Sequence, residues 1–142
     1  MVFQHRARAA SVALKHAVSA GRLGDVLSAE IRVPWWRDQS YYDTPGRGSY
    51  ARDGGGVMIN QAIQALHLAL WILGSFRSVQ ALMRTAAARS MESEDWEAAI
   101  FKTSSGVVGT LTATTAAFPG EPESIRLYGT LGSVHLAAGV LE

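Results

Sequence analysis

Residues 53–74 read Asp-Gly-Gly-Gly-Val-Met-Ile-Asn-Gln-Ala-Ile-Gln-Ala-Leu-His-Leu-Ala-Leu-Trp-Ile-Leu-Gly, and the reading of this stretch decides the fold. From Gly55 to Leu73 it contains no Asp, Glu, Lys or Arg. A helix apolar almost all round is a buried helix. Asp53 is expected to cap its start and Gly74 to stop it, giving a helix over 55–73. With Asn60 at zero and about 100° per residue, Gln64 falls at about 40°, His67 at about −20° and Trp71 at about 20°. A narrow polar stripe of Asn60, Gln64 and His67 on a buried helix needs polar company. Either it lines a polar pocket, or it meets solvent or the neighbouring loop. Gly54-Gly55-Gly56 either presents bare amides to an anion or allows close packing.

Upstream, residues 35–53 run Trp-Trp-Arg-Asp-Gln-Ser-Tyr-Tyr-Asp-Thr-Pro-Gly-Arg-Gly-Ser-Tyr-Ala-Arg-Asp. Irregular segments of this length are uncommon inside a domain and often carry function. Trp35, Trp36, Arg37, Tyr41 and Tyr42 suit a stacking lid for a sugar or base, or a satellite of the core. Before them, residues 25–34 alternate as a strand: Leu27, Ala29, Ile31 and Val33 face one side, Val26, Ser28, Glu30 and Arg32 the other. Phe3, Ala7, Ala10, Leu14, Ala17 and Val18 keep helical spacing, so residues 4–20 read as one helix ending at Gly21.

Downstream the period shortens to two. Strands are expected over 76–86, 95–103, 107–117, 123–129 and 133–137, with turns at 103–106 and 129–132. Such short turns imply antiparallel neighbours. Glu92, Glu94, Asp95 and Glu97 read as a solvated acidic turn, because no basic residue sits beside them. Both faces of 107–116 are small and weakly polar, which suits a strand covered on both sides. The resulting class is α+β: a mostly antiparallel open sheet with two main helices on one face, and residues 1–142 as a single domain. Two helices cover only one face of such a sheet, so a second copy is expected on the other.

With 142 residues, 48% hydrophobic and 18% charged, the composition is that of a soluble globular domain. The net charge is +1. Residues 1–52 hold eight Lys or Arg against four acids, but these are scattered singly and form no nucleic-acid face. Cysteine is absent, which removes disulfides, thiolate nucleophiles and thiolate metal sites. None of His5, His16, His67 and His135 forms a spaced pair with another metal ligand. The acid-free first 24 residues look superficially like a transit peptide, but their spacing is that of an ordinary first helix. The apolar run near 62–73 is expected to be too short to span a bilayer. No Gly-x-Gly-x-x-Gly follows an expected strand. These readings point to a cytoplasmic protein without nucleic-acid or membrane partners.

In this order and spacing, the chain resembles the C-terminal domain of the Gfo/Idh/MocA oxidoreductases. The resemblance runs from Gln4-His5-Arg6 through Gly21-Arg22-Leu23-Gly24, Trp36-Arg37, Tyr41-Tyr42, Asp53-Gly54-Gly55-Gly56 and Asn60-Gln61-Ala62-Ile63. It continues through Leu73-Gly74, Glu94-Asp95, Ser105-Gly106 and Gly129-Thr130-Leu131-Gly132. It implies a dihydrodipicolinate-reductase-like C-terminal fold. The implied function is the substrate-binding and oligomerisation domain of an NAD(P)-dependent sugar or polyol oxidoreductase, inactive alone. The alternative is a non-catalytic, sheet-mediated dimerisation domain derived from such an enzyme. A complete family member uses NAD or NADP on a Rossmann half with a catalytic Lys. That half is not within residues 1–142, so no cofactor is expected to bind this chain.

The resemblance also assigns residues. The family's catalytic pair, an Asp or Asn followed four residues later by His, corresponds to Asn60 and Gln64. The family often has an Asp three residues after its His, and His67 stands there. An amide such as Gln64 cannot take the hydroxyl proton that hydride transfer releases. His67 can titrate near neutrality, but it lies about 4.5 Å further along the axis. Trp36, Arg37, Tyr42, Asn60, Gln64 and His67 are expected to line one pocket for a small polyhydroxylated ligand. The expected partners are a second copy, as a homodimer or higher homo-oligomer through the sheet, and a separately supplied Rossmann domain.

Overall fold

The computed structural model describes residues 2–86 and 89–142. Its centre is strand β1 (Val26–Pro34), where Ala29, Ile31 and Val33 are buried and Glu30 and Arg32 exposed. The other strands are β2 (Phe76–Arg84), β3 (Trp96–Thr103), β4 (Val108–Thr114), β5 (Ser124–Gly129), β6 (Ser133–Ala137) and the short β7 (Val140–Leu141). They form one sheet in the order β2-β3-β4-β1-β5-β6-β7. Ile31 lies opposite Leu111 in the parallel pair β1–β4 and opposite Ile125 in the antiparallel pair β1–β5. Every other pair is antiparallel. The parallel step has room because loop, helix, β2 and β3 all intervene between β1 and β4.

Helices α1 (Ala9–Ser19) and α4 (Ile63–Leu73) cover one face of this sheet. Leu14, Ile31 and Leu127 meet there with no exposed surface. Truncating Ile31 to Ala in such a core costs about 2–5 kcal/mol. The opposite face, where β1 shows Glu30 and Arg32 and β4 shows Val108, Thr110 and Thr112, is open in the single chain. β4 is thus covered on the Leu111 and Ala113 side alone within this chain.

Local structure departs from the sequence reading in several places. Residues 4–20 are not one helix. A 3₁₀ turn at Gln4–Ala7 is followed by extended Arg8, ψ 136°, before α1 begins. The break lets His5 Nδ1 approach Glu123 Oε1 at 3.5 Å while Arg8 Nη1 donates to the same oxygen at 3.1 Å. A continuous helix would also gather His5, Arg6 and Arg8 at its positive N-terminal end. Leu27 is not on the core face. The β1–β5 register shifts between Val26 and Ser28, and Leu27 at this bulge is 56% exposed.

Asp53 does not cap the long helix. It closes a short one, α3 (Tyr50–Asp53), and its Oδ2 accepts from the Gly48 amide at 2.9 Å. Gly54 then turns the chain at φ +75°, a conformation that favours glycine. The main helix resumes at Val57 and passes through a π turn, Met58–Ala62, before α4. A second short helix, α2 (Gln39–Tyr42), is capped by Asp38, so the 35–53 segment is more ordered than expected.

In the acidic stretch Glu92 is exposed, but the rest is not solvated. Ser93 and Asp95 are fully buried, and Glu94 and Glu97 are each 8% exposed. They lie under the start of the main helix, where the Val57 amide donates to the Glu94 carbonyl at 2.9 Å. Taken as one run, Tyr50–Leu73 is long and apolar enough to cross a bilayer. It is interrupted at Gly54–Gly56 and packs against the sheet, as a core helix does.

Candidate functional site

The π turn is the first determinant of the site. Inserting one extra residue per turn rotates the helix before it relative to the helix after it, so the even α-helical stepping fails between Asn60 and Gln64. Asn60 turns back on the glycine segment, its Nδ2 donating to the Gly55 carbonyl at 2.7 Å and the Gly56 carbonyl at 3.1 Å. It is otherwise exposed.

Gln64 and His67 lie a turn further on, beneath the N-terminal segment. Gln64 Nε2 donates to the Val2 carbonyl at 3.1 Å, and the His67 ring stacks on Phe3 at 3.7 Å with planes 2° apart. Arg6 lies over Trp71 in the same strip, 4.8 Å from the ring centre. Gln64 Oε1 and His67 Nδ1 are buried and carry no hydrogen bond among the described residues. Burial and the nearby Arg6 guanidinium hold His67 below its usual pKa, so the neutral imidazole is favoured.

The aromatic loop forms a second cluster. Tyr42 is buried, its hydroxyl 2.5 Å from Thr115 Oγ1, and burial pushes its pKa up. Trp36 pairs with Ala116 as an isolated β-bridge and meets Phe118 edge-on at 5.3 Å. Arg37 donates to the Trp36 carbonyl at 2.8 Å, with its guanidinium 5.3 Å from the Trp35 ring and 5.5 Å from Tyr41. The described hydrogen bond from the helix to this loop comes from Gln61, whose Nε2 lies 3.4 Å from the Tyr41 hydroxyl. The six expected residues therefore fall into two groups: Gln64 and His67 under Val2 and Phe3, with Asn60 at their edge, and Trp36, Arg37 and Tyr42 around the loop.

Arg89, which the sequence reading passed over, and Asp95, which it placed in a solvated turn, organise the loop group. The Arg89 side chain, 4% exposed, sits with its guanidinium 4.4 Å from the Trp36 ring and 5.8 Å from Tyr42. It donates to the Thr115 carbonyl at 3.1 Å, and its Nε faces Asp95 Oδ2 at 3.6 Å. Asp95 Oδ1 accepts from the Ala86 amide at 2.7 Å. The signal in the sequence was the acidic stretch itself. Its cation comes from six residues upstream, and the amide that donates to the Asp95 carbonyl, that of Thr115, from twenty downstream, so no local pattern revealed the pair.

The glycine segment resolves to close packing. A Cβ on Gly56 would stand 1.8 Å from the Glu94 carbonyl oxygen. The Gly56 amide donates to Glu94 Oε1 at 3.0 Å, so the carboxylate of Glu94 already occupies the place an anion would take at this helix start. Among the described residues, no group of three His, Asp or Glu is placed to hold a metal ion.

The profile of the GFO/IDH/MocA C-terminal domain matches residues 11–135. Among solved structures, the WlbA dehydrogenase of Bordetella pertussis in complex with NADH and UDP-GlcNAcA is 32% identical over 99% of this chain and 45% of its own, with a TM-score of 0.92. The WlbA dehydrogenase of Chromobacterium violaceum, with the same two ligands, is 35% identical over 98% of this chain and 40% of its own, at 0.90. Levoglucosan dehydrogenase with NADH and levoglucosan shares the fold at 21% identity and a TM-score of 0.88. No curated protein matches the chain. The chain thus spans less than half the length of these dehydrogenases. The domain profile covers most of its residues, and the chain belongs to the Gfo/Idh/MocA family, as its C-terminal domain.

Proposed function

We propose that this chain is the substrate-facing and oligomer-forming domain of a nicotinamide-dependent sugar or polyol oxidoreductase, and that alone it binds a polyhydroxylated ligand without turning it over. The observation that carries this reading is the pair of buried polar atoms on α4, Gln64 Oε1 and His67 Nδ1, one turn apart and both without a hydrogen bond among the described residues. A buried polar atom left unpaired costs about 1–3 kcal/mol, and two sugar hydroxyls, each able to donate or accept, would remove that cost. Asn60 borders them, and its carbonyl oxygen carries no hydrogen bond among the described residues. Trp36, Arg37 and Tyr42 would form the outer wall, on the loop that Gln61 ties to the helix.

The described residues do not fit a nicotinamide cofactor. The amides at the start of the main helix are taken by Glu94, and no Gly-rich turn leads directly from β1 into a helix. The relatives' NADH therefore argues for a Rossmann partner rather than for a seat in this domain. No proton acceptor stands at position 64, so turnover waits on more than that partner. Calorimetry with UDP-GlcNAcA, and separately with NADH, tests the proposal. Saturable sugar-nucleotide binding, weakened about tenfold by Gln64→Leu, is the expected result. With a family Rossmann domain supplied in trans, Gln64→His should give activity that the original chain lacks. Saturable NADH binding by the chain alone, or no effect of Gln64→Leu, would overturn it.

A second reading, association through the sheet without catalysis, is favoured by Leu82, Ile100 and Val108. They share the open face at 68%, 57% and 50% exposure on three adjacent strands. A dimeric mass by light scattering at tens of micromolar, reduced to monomer by Ile100→Glu, is expected. A monomer before substitution refutes it.

A further inference from the structure

On the side of the main helix away from Gln64 lies a cavity of about 140 Å³, between that helix and strands β2 and β3. Leu66 reaches it from two residues beyond Gln64, about 200° round the helix. Met58, Leu66, Val79, Phe76 and Phe101 wall it, the two phenylalanine rings stacked 4.2 Å apart. One polar side chain among these walls is Glu97, 8% exposed. Among the described residues its carboxyl has neither a hydrogen-bond nor an ion-pair partner. Burial, and then the neighbouring Glu94, hold its pKa above the usual carboxylate range. Glu94 offers it no relief, since it is another acid and already accepts from the Gly56 amide.

We propose that this cavity is a binding site for a small organic cation, an alkylammonium whose ammonium meets Glu97 and whose chain lies against Phe76, Phe101 and Leu66. Three features converge on that chemistry. A mostly buried carboxyl next to a second acid is relieved by a proton or by a cation that takes the proton's place. Aromatic faces attract an ammonium within about 6 Å. The apolar remainder of the wall holds methylenes and gives no polar group for a hydroxyl-rich ligand to meet. A sugar therefore belongs at the other side of the helix, and the two sites differ in the class of ligand they accept.

The probe is n-butylammonium, with n-butanol as its neutral counterpart, followed by amide chemical shifts in the full chain. Saturable binding is expected, with shifts confined to residues around Ala99, Phe101 and Leu66. Affinity should fall about tenfold or more in Glu97→Gln, the loss of a charge-assisted bond, and n-butanol should bind comparably weakly. Val79→Trp, on the half-exposed edge strand, should close the mouth and abolish binding, which keeps the test decisive if Glu97→Gln fails to fold. Equal affinity for the alcohol would mean an apolar hole and nothing more. That result, binding undiminished by Glu97→Gln, or no binding at all would overturn the proposal.

Discussion

Two polar clusters lie in this domain, one buried around Asp95 and one half-buried around Gln64 and His67, and they are furnished differently. Around Asp95 charge meets charge: Oδ1 accepts from the Ala86 amide, Oδ2 has no hydrogen bond among the described residues but lies 3.6 Å from the Arg89 guanidinium, and Arg89 has the Thr115 carbonyl and two aromatic faces. Around Gln64 and His67 one amide nitrogen is bonded to the Val2 carbonyl, while Gln64 Oε1 and His67 Nδ1 have neither a hydrogen bond nor an opposite charge among the described residues. An ion-paired cluster holds a shape, while buried polar atoms with neither a bond nor a counter-charge call for an explanation. The first anchors the aromatic loop to β3 and the segment after β4; the second is the candidate binding surface.

The sharpest way to break that comparison is to remove half of the matched pair. Asp95→Ala leaves the Arg89 charge buried at 4% exposure, and a loss of about 3–5 kcal/mol is expected in urea unfolding. Replacing both, as Asp95→Leu with Arg89→Met, should recover much of it, because neither charge is then stranded. If Asp95→Ala costs less than about 1 kcal/mol, the pair is not an anchor.

Gly56→Ala attacks the seam between the clusters. The new Cβ would need space now held by the Glu94 backbone, 1.8 Å away, which a flexible side chain could yield but a carbonyl cannot. Overpacking of this kind costs about 1–3 kcal/mol. Tyr42→Phe is milder. It removes one hydroxyl from Thr115 Oγ1 and should cost about 1 kcal/mol, read as a small fall in melting temperature, with loop anchoring by Arg89 intact.

The elements of the fold were legible because burial and period coincide in them. Ala29, Ile31 and Val33 alternate in sequence and are all buried in β1, and the apolar run to Leu73 is a core helix. Hidden were the features that one residue decides or that distant residues share. The π turn at Met58–Ala62 leaves no mark in composition, yet it separates Asn60 from the regular stepping of Gln64 and His67. The bulge at Leu27 breaks an otherwise clean alternation. Asp95 looked like part of a solvated turn because Arg89 and Thr115 are brought to it only by the sheet. The polar stripe itself was readable; the lid of Val2 and Phe3 over it was not, because both come from a segment read as the plain start of a helix.

The smallest effect distinguishes the clusters by proton rather than by contact. His67 is held below its ordinary pKa of 6.5, first by burial and then by Arg6. His5 is lowered as well, by burial and then Arg8, with Glu123 opposing. In each case the unfolded chain takes up a proton more readily than the folded one as pH falls through 6.5. The stability they confer is thus fully present above pH 6.5 and is lost as pH falls toward and through their depressed native values. His67→Phe keeps the stack on Phe3 and removes both the titrating group and an unmatched acceptor. It should leave stability at pH 7.5 unchanged or slightly higher, and it should flatten part of the decline between pH 6.5 and 5, with His5 supplying the rest. Arg6→Gln should move the His67 titration upward by removing the second cause while leaving the first. Ring-proton shifts of His67 followed against pH decide the matter: a midpoint at or above 6.5 would show that the imidazole is neither desolvated nor pressed by Arg6, and the unmatched nitrogen would then be an ordinary solvated one.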